Sequence, residues 1–268
     1  MTTPYDWADA VWTDPDGGRV VLHGTLPTVV YPQHMRPRHD HNGLALLETE
    51  DVVDLWRQEE KDEAESEGVN LTHALLSGGV FGRYVEGLTA LSNLQVGRFP
   101  DPEPRRLQRN AERRQRPVFF IEPLADDEEW GEYLTQEARA VSHWRKLLGM
   151  IRTGKRWSKS LKRHLFHAQP PPKGSPVDLS SASVLAAAWW ELSEWLSTPE
   201  LTWQRDLRYA ARLRGALAAL RKQHGDNATL LAVVHMPHRP SLLKALNERP
   251  HPEEISSTNT ATDALEEE

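Results

Sequence analysis

The chain has 268 residues, a formal net charge of −7 and no cysteine. A chain this long buries an ordinary core without staples, and the missing cysteines exclude disulfides, thiolate metal sites and cysteine nucleophiles, leaving histidine and carboxylate as the metal ligands available. The acidic balance argues against a general polyanion binder, no apolar stretch approaches the roughly 20 residues of a membrane span, and Met1–Trp12 has no apolar signal core, so a cytoplasmic protein without a membrane span is expected.

Arg19–Leu22 is a short β-branched run after the turn residues Asp14-Pro15-Asp16-Gly17-Gly18, and predicts a strand followed by a turn at His23-Gly24-Thr25. Gly43–Leu47, ending on Glu48, predicts a second strand, and the polar stretch Asp51–Ser66 a helix. Thr72–Leu94 reads as one helix whose glycines call for close packing or a bent start. Glu103–Gln115 predicts a solvated helix stopped by Pro117. Val118–Ile121 is a continuous apolar run, as expected of a central strand buried on both faces, with Glu122 at its end. Asp126–Leu148 carries an apolar stripe of Trp130, Tyr133, Leu134, Ala138, Val141 and Leu148 and predicts a helix.

Charge is uneven beyond this point. Ala138–Val177 contains no carboxylate, yet holds Arg139, Arg145, Lys146, Arg152, Lys155, Arg156, Lys159, Lys162, Arg163 and Lys173, a basic helical block in an acidic protein. Such a block reads as a solvated face or as a surface for an anionic partner, and its Trp144 and Trp157 as core anchors. The proline-rich Gln169–Pro176 is a loop or hinge between helical regions. Ser180–Ser197 and Glu200–His224 predict helices, the second opened by Thr198-Pro199 and closed by Gly225. Leu230–Val234 is a buried strand that carries His235 to its end, Ser241–Asn247 a short helix with Ser241 as N-cap, and Pro250 onward an acidic, Ser/Thr-rich tail expected to be disordered. The expected fold is therefore α/β, a mixed central sheet with helices packed on it and a helical middle insertion at about 126–197, in a single domain 1–249 with a tail 250–268.

Ligands in open α/β sheets bind beyond the carboxyl ends of the strands. Here those ends deliver Gly24-Thr25, Glu48, Glu122 and His235, the residue types of a metal site or of general base catalysis. The group His34, His39, Asp40 and His41 also has metal-like composition, but the prolines and arginines around it predict a flexible loop.

The helix Thr198-Pro199-Glu200-Leu201 through Gln204-Arg205-Asp206-Leu207-Arg208-Tyr209-Ala210, followed by a strand ending in His235 and Pro237, resembles the C-terminal half of the TraB superfamily, which includes pheromone-shutdown proteins, Tiki-type proteases and relatives of erythromycin esterase. The resemblance continues in the strand before Gly24-Thr25, in Leu46-Leu47-Glu48 and in Val118–Ile121 ahead of the basic helices. It departs where the family has Gly-x-x-His twice: this chain has Gly24-Thr25-Leu26-Pro27 and Ala232-Val233-Val234-His235, and Gln204 replaces an acid. The resemblance implies a strand-end site of Glu48, His235 and Arg205, with Zn²⁺ or Mn²⁺ held by Glu48 and His235 and with His23 or His34 in place of the missing histidine. Arg205 would steady an oxyanion or a substrate carboxylate. The implied activity is either a weakened metal-dependent peptide or ester hydrolase or a non-catalytic binder of a peptide or small molecule. The alternative is a non-enzymatic interaction protein that sets the basic helices 139–163 against an anionic partner, nucleic acid being disfavoured by the overall charge.

Overall fold

The computed structural model describes residues 3–37, 40–150 and 153–258, without the side chains of residues 145, 147 and 150. The fold is α/β. Five strands, β1 (Ala10–Thr13), β2 (Arg19–Thr25), β3 (Gly43–Leu46), β4 (Val118–Phe120) and β5 (Thr229–His235), form one sheet in the order β1-β2-β5-β3-β4. β1 pairs antiparallel with β2, and the other neighbours are parallel. In register, Thr25 lies beside His235 and Leu46 beside Val233, so β2, β3 and β5 finish at one edge.

β5 is central and buried from Thr229 to Val234, which explains its unbroken apolar run. Its even residues Leu230, Ala232 and Val234 pack with Val20, Leu22 and Phe119 against Leu213, Ala216, Leu217 and Leu220 of a long helix, α9 (Pro199–His224). Its odd residues Leu231 and Val233 join Val21, Leu44, Leu46 and Phe120 against Trp56 of α1 (Val52–Glu65) and Leu107 and Ala111 of α4 (Pro102–Arg113). A third cluster lies past the strand ends. Leu26, Val29, Tyr31 and Met236, which follow β2 and β5, pack against Tyr84, Val85 and Leu88 of α3 (Gly79–Thr89), Trp157 of α7 (Thr153–Leu165) and Leu179, Ala186 and Leu192 of α8 (Asp178–Leu196). These helices roof the carboxyl edge of the sheet. α5 (Glu128–Ser142) leans on α9 through Trp130 and Tyr209, and α10 (Arg239–Asn247) closes the same side through Leu242, Ala245 and Leu246.

Several expected boundaries move, each for a local reason. β2 runs through His23-Gly24 to Thr25, because Gly24 serves close approach in place of a turn: a Cβ there would lie 3.0 Å from Nη1 of the buried Arg239 and 3.3 Å from the Met236 backbone. Val118–Ile121 gives an edge strand, with its apolar faces covered by α9 and by α1 with α4. The helix expected over Thr72–Leu94 breaks into α2 (Val69–Ser77) and α3 where Gly78 and Gly79 take φ of +64° and +66°. Asp126–Leu148 likewise divides at His143 into α5 and α6 (Trp144–Met150). α4 is less solvated than expected, since Glu103, Arg105 and Gln108 are buried and Arg105 is paired with Glu60. α10 starts at Arg239, ahead of Ser241, whose hydroxyl donates to the His238 carbonyl.

The described part of the C-terminal tail, 250–258, is packed. Glu253 accepts hydrogen bonds from Arg208 and Arg212, its backbone N–H donates to the Ala211 carbonyl, Ile255 packs on the core, and Thr258 bridges antiparallel to Val118. Polar composition suggested disorder because Glu253 and Thr258 act through long-range partners that local sequence does not contain. Residues 259–268 of the tail, with His39 and Arg152, lie outside the described residues.

Candidate functional site

The strand ends and the helical roof border a cavity of about 210 Å³ lined by Thr25, Leu46, Leu47, Glu48, Pro104, Glu122, Trp190, Arg205, Tyr209, Val233, Val234, His235 and His238. Each element supplies its residues for a geometric reason. Arg205 and Tyr209 stand one turn apart on α9 and share a face, as do Trp190 and Glu194 on α8. His235 ends β5, and a tight turn with the His238 N–H donating to the His235 carbonyl at 2.9 Å brings the second histidine back over the strand end.

Burial sets the chemistry of the carboxyl groups. Glu48 is pushed up to about 7, mainly by burial and further by the charge of Glu122. Glu122 is also raised by burial, but less, because the Tyr209 hydroxyl donates to it at 3.0 Å and Arg205 offsets its charge. Behind this pair Asp101 is pushed up to about 8, again mainly by burial, although the Thr28 N–H donates to it. Among the described residues the Glu48 carboxyl receives no hydrogen bond from a side chain or backbone group.

The histidines differ sharply. His235 is drawn down to about 4 by burial, packs edge-on to Trp189 and Trp190 with ring centroids 5.3 and 6.1 Å away, and leaves a buried Nδ1 without a partner. It is a neutral imidazole at physiological pH. His238 stacks on Trp190 at 4.5 Å, and its Nε2 lies 2.8 Å from Asp206 Oδ1. Asp206 stays ionised because His238 and Arg205 outweigh its burial and hold its carboxyl at about 2, so His238 Nε2 donates to it. Arg205 completes the group: Nε and Nη2 donate to Asp206 at 3.0 and 2.8 Å, and Nη1 donates to Glu194 at 2.9 Å.

The structure thus brings together Glu48, Arg205 and His235, expected from the sequence as the catalytic set, with Glu122 beside them. It does not assemble the expected metal ligands. His23 does not line the cavity; it sits further back on β2, with Nδ1 2.8 Å from Asp9 and its ring edge against Tyr31. His34 bonds Ser175, and Arg116 ties Asp40 and His41. Among the described residues no three histidine, aspartate or glutamate side chains are grouped to hold a metal ion. Glu48 and His235 therefore line the cavity with Glu122 and His238 but are not grouped with a third side chain as ligands, an arrangement that does not fit a catalytic metal.

No family model matches the chain, and no curated protein matches it significantly. Among the described residues no helix is long and apolar enough to cross a membrane.

His238, Asp206, Trp190 and Tyr209 join the site only in three dimensions. Two spacings could have pointed to two of these, His235-x-x-His238 to the second histidine and Arg205-x-x-x-Tyr209 to the tyrosine, and neither was drawn on. In the basic block, Trp157 is a core residue as expected, whereas Trp144 is 59% exposed. Lys146 donates to the Trp195 and Ser197 carbonyls, Arg156 lies over the Trp195 ring and Arg163 pairs with Glu191, while Lys155, Lys159 and Lys162 share a shallow open face of α7.

Proposed function

We propose that the strand-end cavity is an acid–base site that hydrolyses a small ester or amide without a metal, Glu48 being the proton acceptor. One observation carries the reading: a half-buried carboxyl near neutrality shares a mostly apolar cavity with a neutral imidazole at the carboxyl edge of a parallel sheet. The order of elements that resembles the TraB superfamily supports the choice of hydrolysis over other acid–base chemistry.

In this scheme ionised Glu48 accepts a proton from water as the water oxygen bonds to the acyl carbon. Glu48 then returns that proton to the departing oxygen or nitrogen as the acyl bond breaks, leaving an acid and an alcohol or amine. Arg205 acts as a positioning residue, since its fork is engaged by Asp206 and Glu194 and fixes the carboxylate that orients His238.

The test is turnover of p-nitrophenyl esters and p-nitroanilides of short carboxylic and amino acids, with EDTA present throughout. Wild-type protein should hydrolyse part of the panel with a limb near pH 7, and Glu48→Gln should lower the rate by about 100-fold or more. A wild-type protein inert on the whole panel, or a fully active Glu48→Gln, overturns hydrolysis and leaves a non-catalytic ligand site.

The alternative reading, an anionic partner on the basic helices, is supported by Lys155, Lys159 and Lys162, which line one shallow open face, whereas Lys146, Arg156 and Arg163 are engaged within the fold. Reversing these lysines should abolish salt-sensitive binding to heparin or anionic vesicles if that reading holds; no such binding by wild-type protein at low salt removes it.

A further inference from the structure

The cavity shows an imbalance between donors and acceptors. Its hydroxyl and guanidinium donors are already directed at protein acceptors: Thr25 at the Val234 carbonyl, Tyr209 at Glu122, and Arg205 at Asp206 and Glu194. The Nε2–H of His238 is directed at Asp206. The acceptors are not matched in the same way. The Glu48 carboxyl receives no hydrogen bond among the described residues, and Glu122 receives one hydroxyl on Oε2 alone.

Charge tells the same story. Glu48 and Glu122 face the cavity, and the charge of Arg205 is countered by two carboxylates of its own. A ligand carboxylate would meet two glutamates and a guanidinium already countered by two carboxylates, which reverses the expectation that Arg205 holds a substrate carboxylate. A protonated amine would meet two carboxyl groups, with the faces of Leu46, Leu47, Val233 and Trp190 left for a short apolar body.

We infer that the cavity selects a small ligand bearing a protonated amine, with the ammonium set between Glu48 and Glu122, so that the ester or amide hydrolysed is an aminoacyl compound. This inference rests on the acid–base site proposed above for its reaction but not for its binding step. An ammonium beside Glu48 favours the ionised carboxyl, so binding near neutrality releases a proton to solvent.

The probes are n-butylammonium, n-butanol and butyrate, which share an apolar body and differ in charge. They are titrated into the full chain while the His235 and Trp190 side-chain NMR signals are followed. Butylammonium should move both signals and bind about tenfold tighter than butanol, a difference of about 1.4 kcal/mol, with butyrate weaker still. Calorimetry of butylammonium binding in buffers of different ionisation enthalpy should show proton release at pH 7 and none at pH 9, where Glu48 is already ionised. Glu48→Gln should remove most of the preference for the amine. Butyrate or butanol binding as well as the amine, or no cavity signal moving with butylammonium, overturns the inference. Amine binding without turnover of any ester sinks hydrolysis alone, whereas turnover with a preference for butyrate sinks the amine alone.

Discussion

Glu48→Gln should make the protein more stable while making it inactive, and the size of the gain follows from the state of the carboxyl. Burial moves Glu48 from an ordinary 4.5 to about 7. Between those values the folded chain keeps a proton that the unfolded chain has lost, so stability is full below pH 4.5 and declines as pH rises through about 7. A shift of this size corresponds to about 3 kcal/mol at pH 8, and about 2 kcal/mol once screening at the open side of the cavity is allowed for. Glutamine has nearly the same shape and no charge, so the variant escapes this decline; Asp101, no longer facing an ionised Glu48, contributes in the same direction. Urea unfolding of both proteins at pH 5 and pH 8 measures the effect. The two stabilities should be close at the lower pH and separate by about 2 kcal/mol at the higher. A variant less stable than wild type at pH 8, or a difference independent of pH, would refute the burial of Glu48 as the source of its raised proton affinity.

Three further outcomes are expected. Gly215→Ala places a Cβ 1.6 Å from the Glu253 carbonyl oxygen, so the C-terminal segment must lift off α9, with a stability loss of about 1–3 kcal/mol and faster proteolysis within 250–258; unchanged proteolysis argues against the packed tail. Asp206→Asn leaves Arg205 and His238 without their shared charge partner and should cost about 2–4 kcal/mol near pH 7. Because the folded Asp206 sits near 2 against an ordinary 3.8, that loss should shrink as acid-unfolding measurements approach pH 2, and a loss constant with pH would contradict the ion pairing. His235 should titrate near 4 by ring NMR shifts, remaining neutral through the physiological range; a midpoint near the ordinary 6.5 would show that water reaches the ring.

The elements most legible in the sequence were those whose environment is uniform. β5 reads as buried because it is covered on both faces, and α9 reads as a helix because its apolar spacing and its Thr198-Pro199 start act locally. Strand position was not legible: Val118–Phe120 is as apolar as a central strand, yet it stands at the edge because covering both faces says nothing about which neighbours pair. β1 was missed since Ala10–Thr13 alternates burial over only four residues. At the site, Glu48, Arg205 and His235 were found because strand ends and one helix face mark them. His23 was misassigned because it lies two residues short of the end of β2, within reach of Asp9 and not of the cavity. The roof that supplies Trp190 could not be anticipated, since nothing in the order of helices states which of them folds over the sheet.

The bridge from Thr258 to Val118 bears on where the folded unit ends. β4 is a sheet edge, and its outer backbone groups are a template for pairing with another chain wherever they are left bare. The tail strap occupies part of that rim in antiparallel fashion, with the Thr258 N–H on the Val118 carbonyl at 3.0 Å. A chain stopped at residue 249 would retain the sheet, the helical roof and the cavity residues while baring this rim. It would be expected to self-associate edge to edge more readily than the full chain, whose strap covers the rim at Val118.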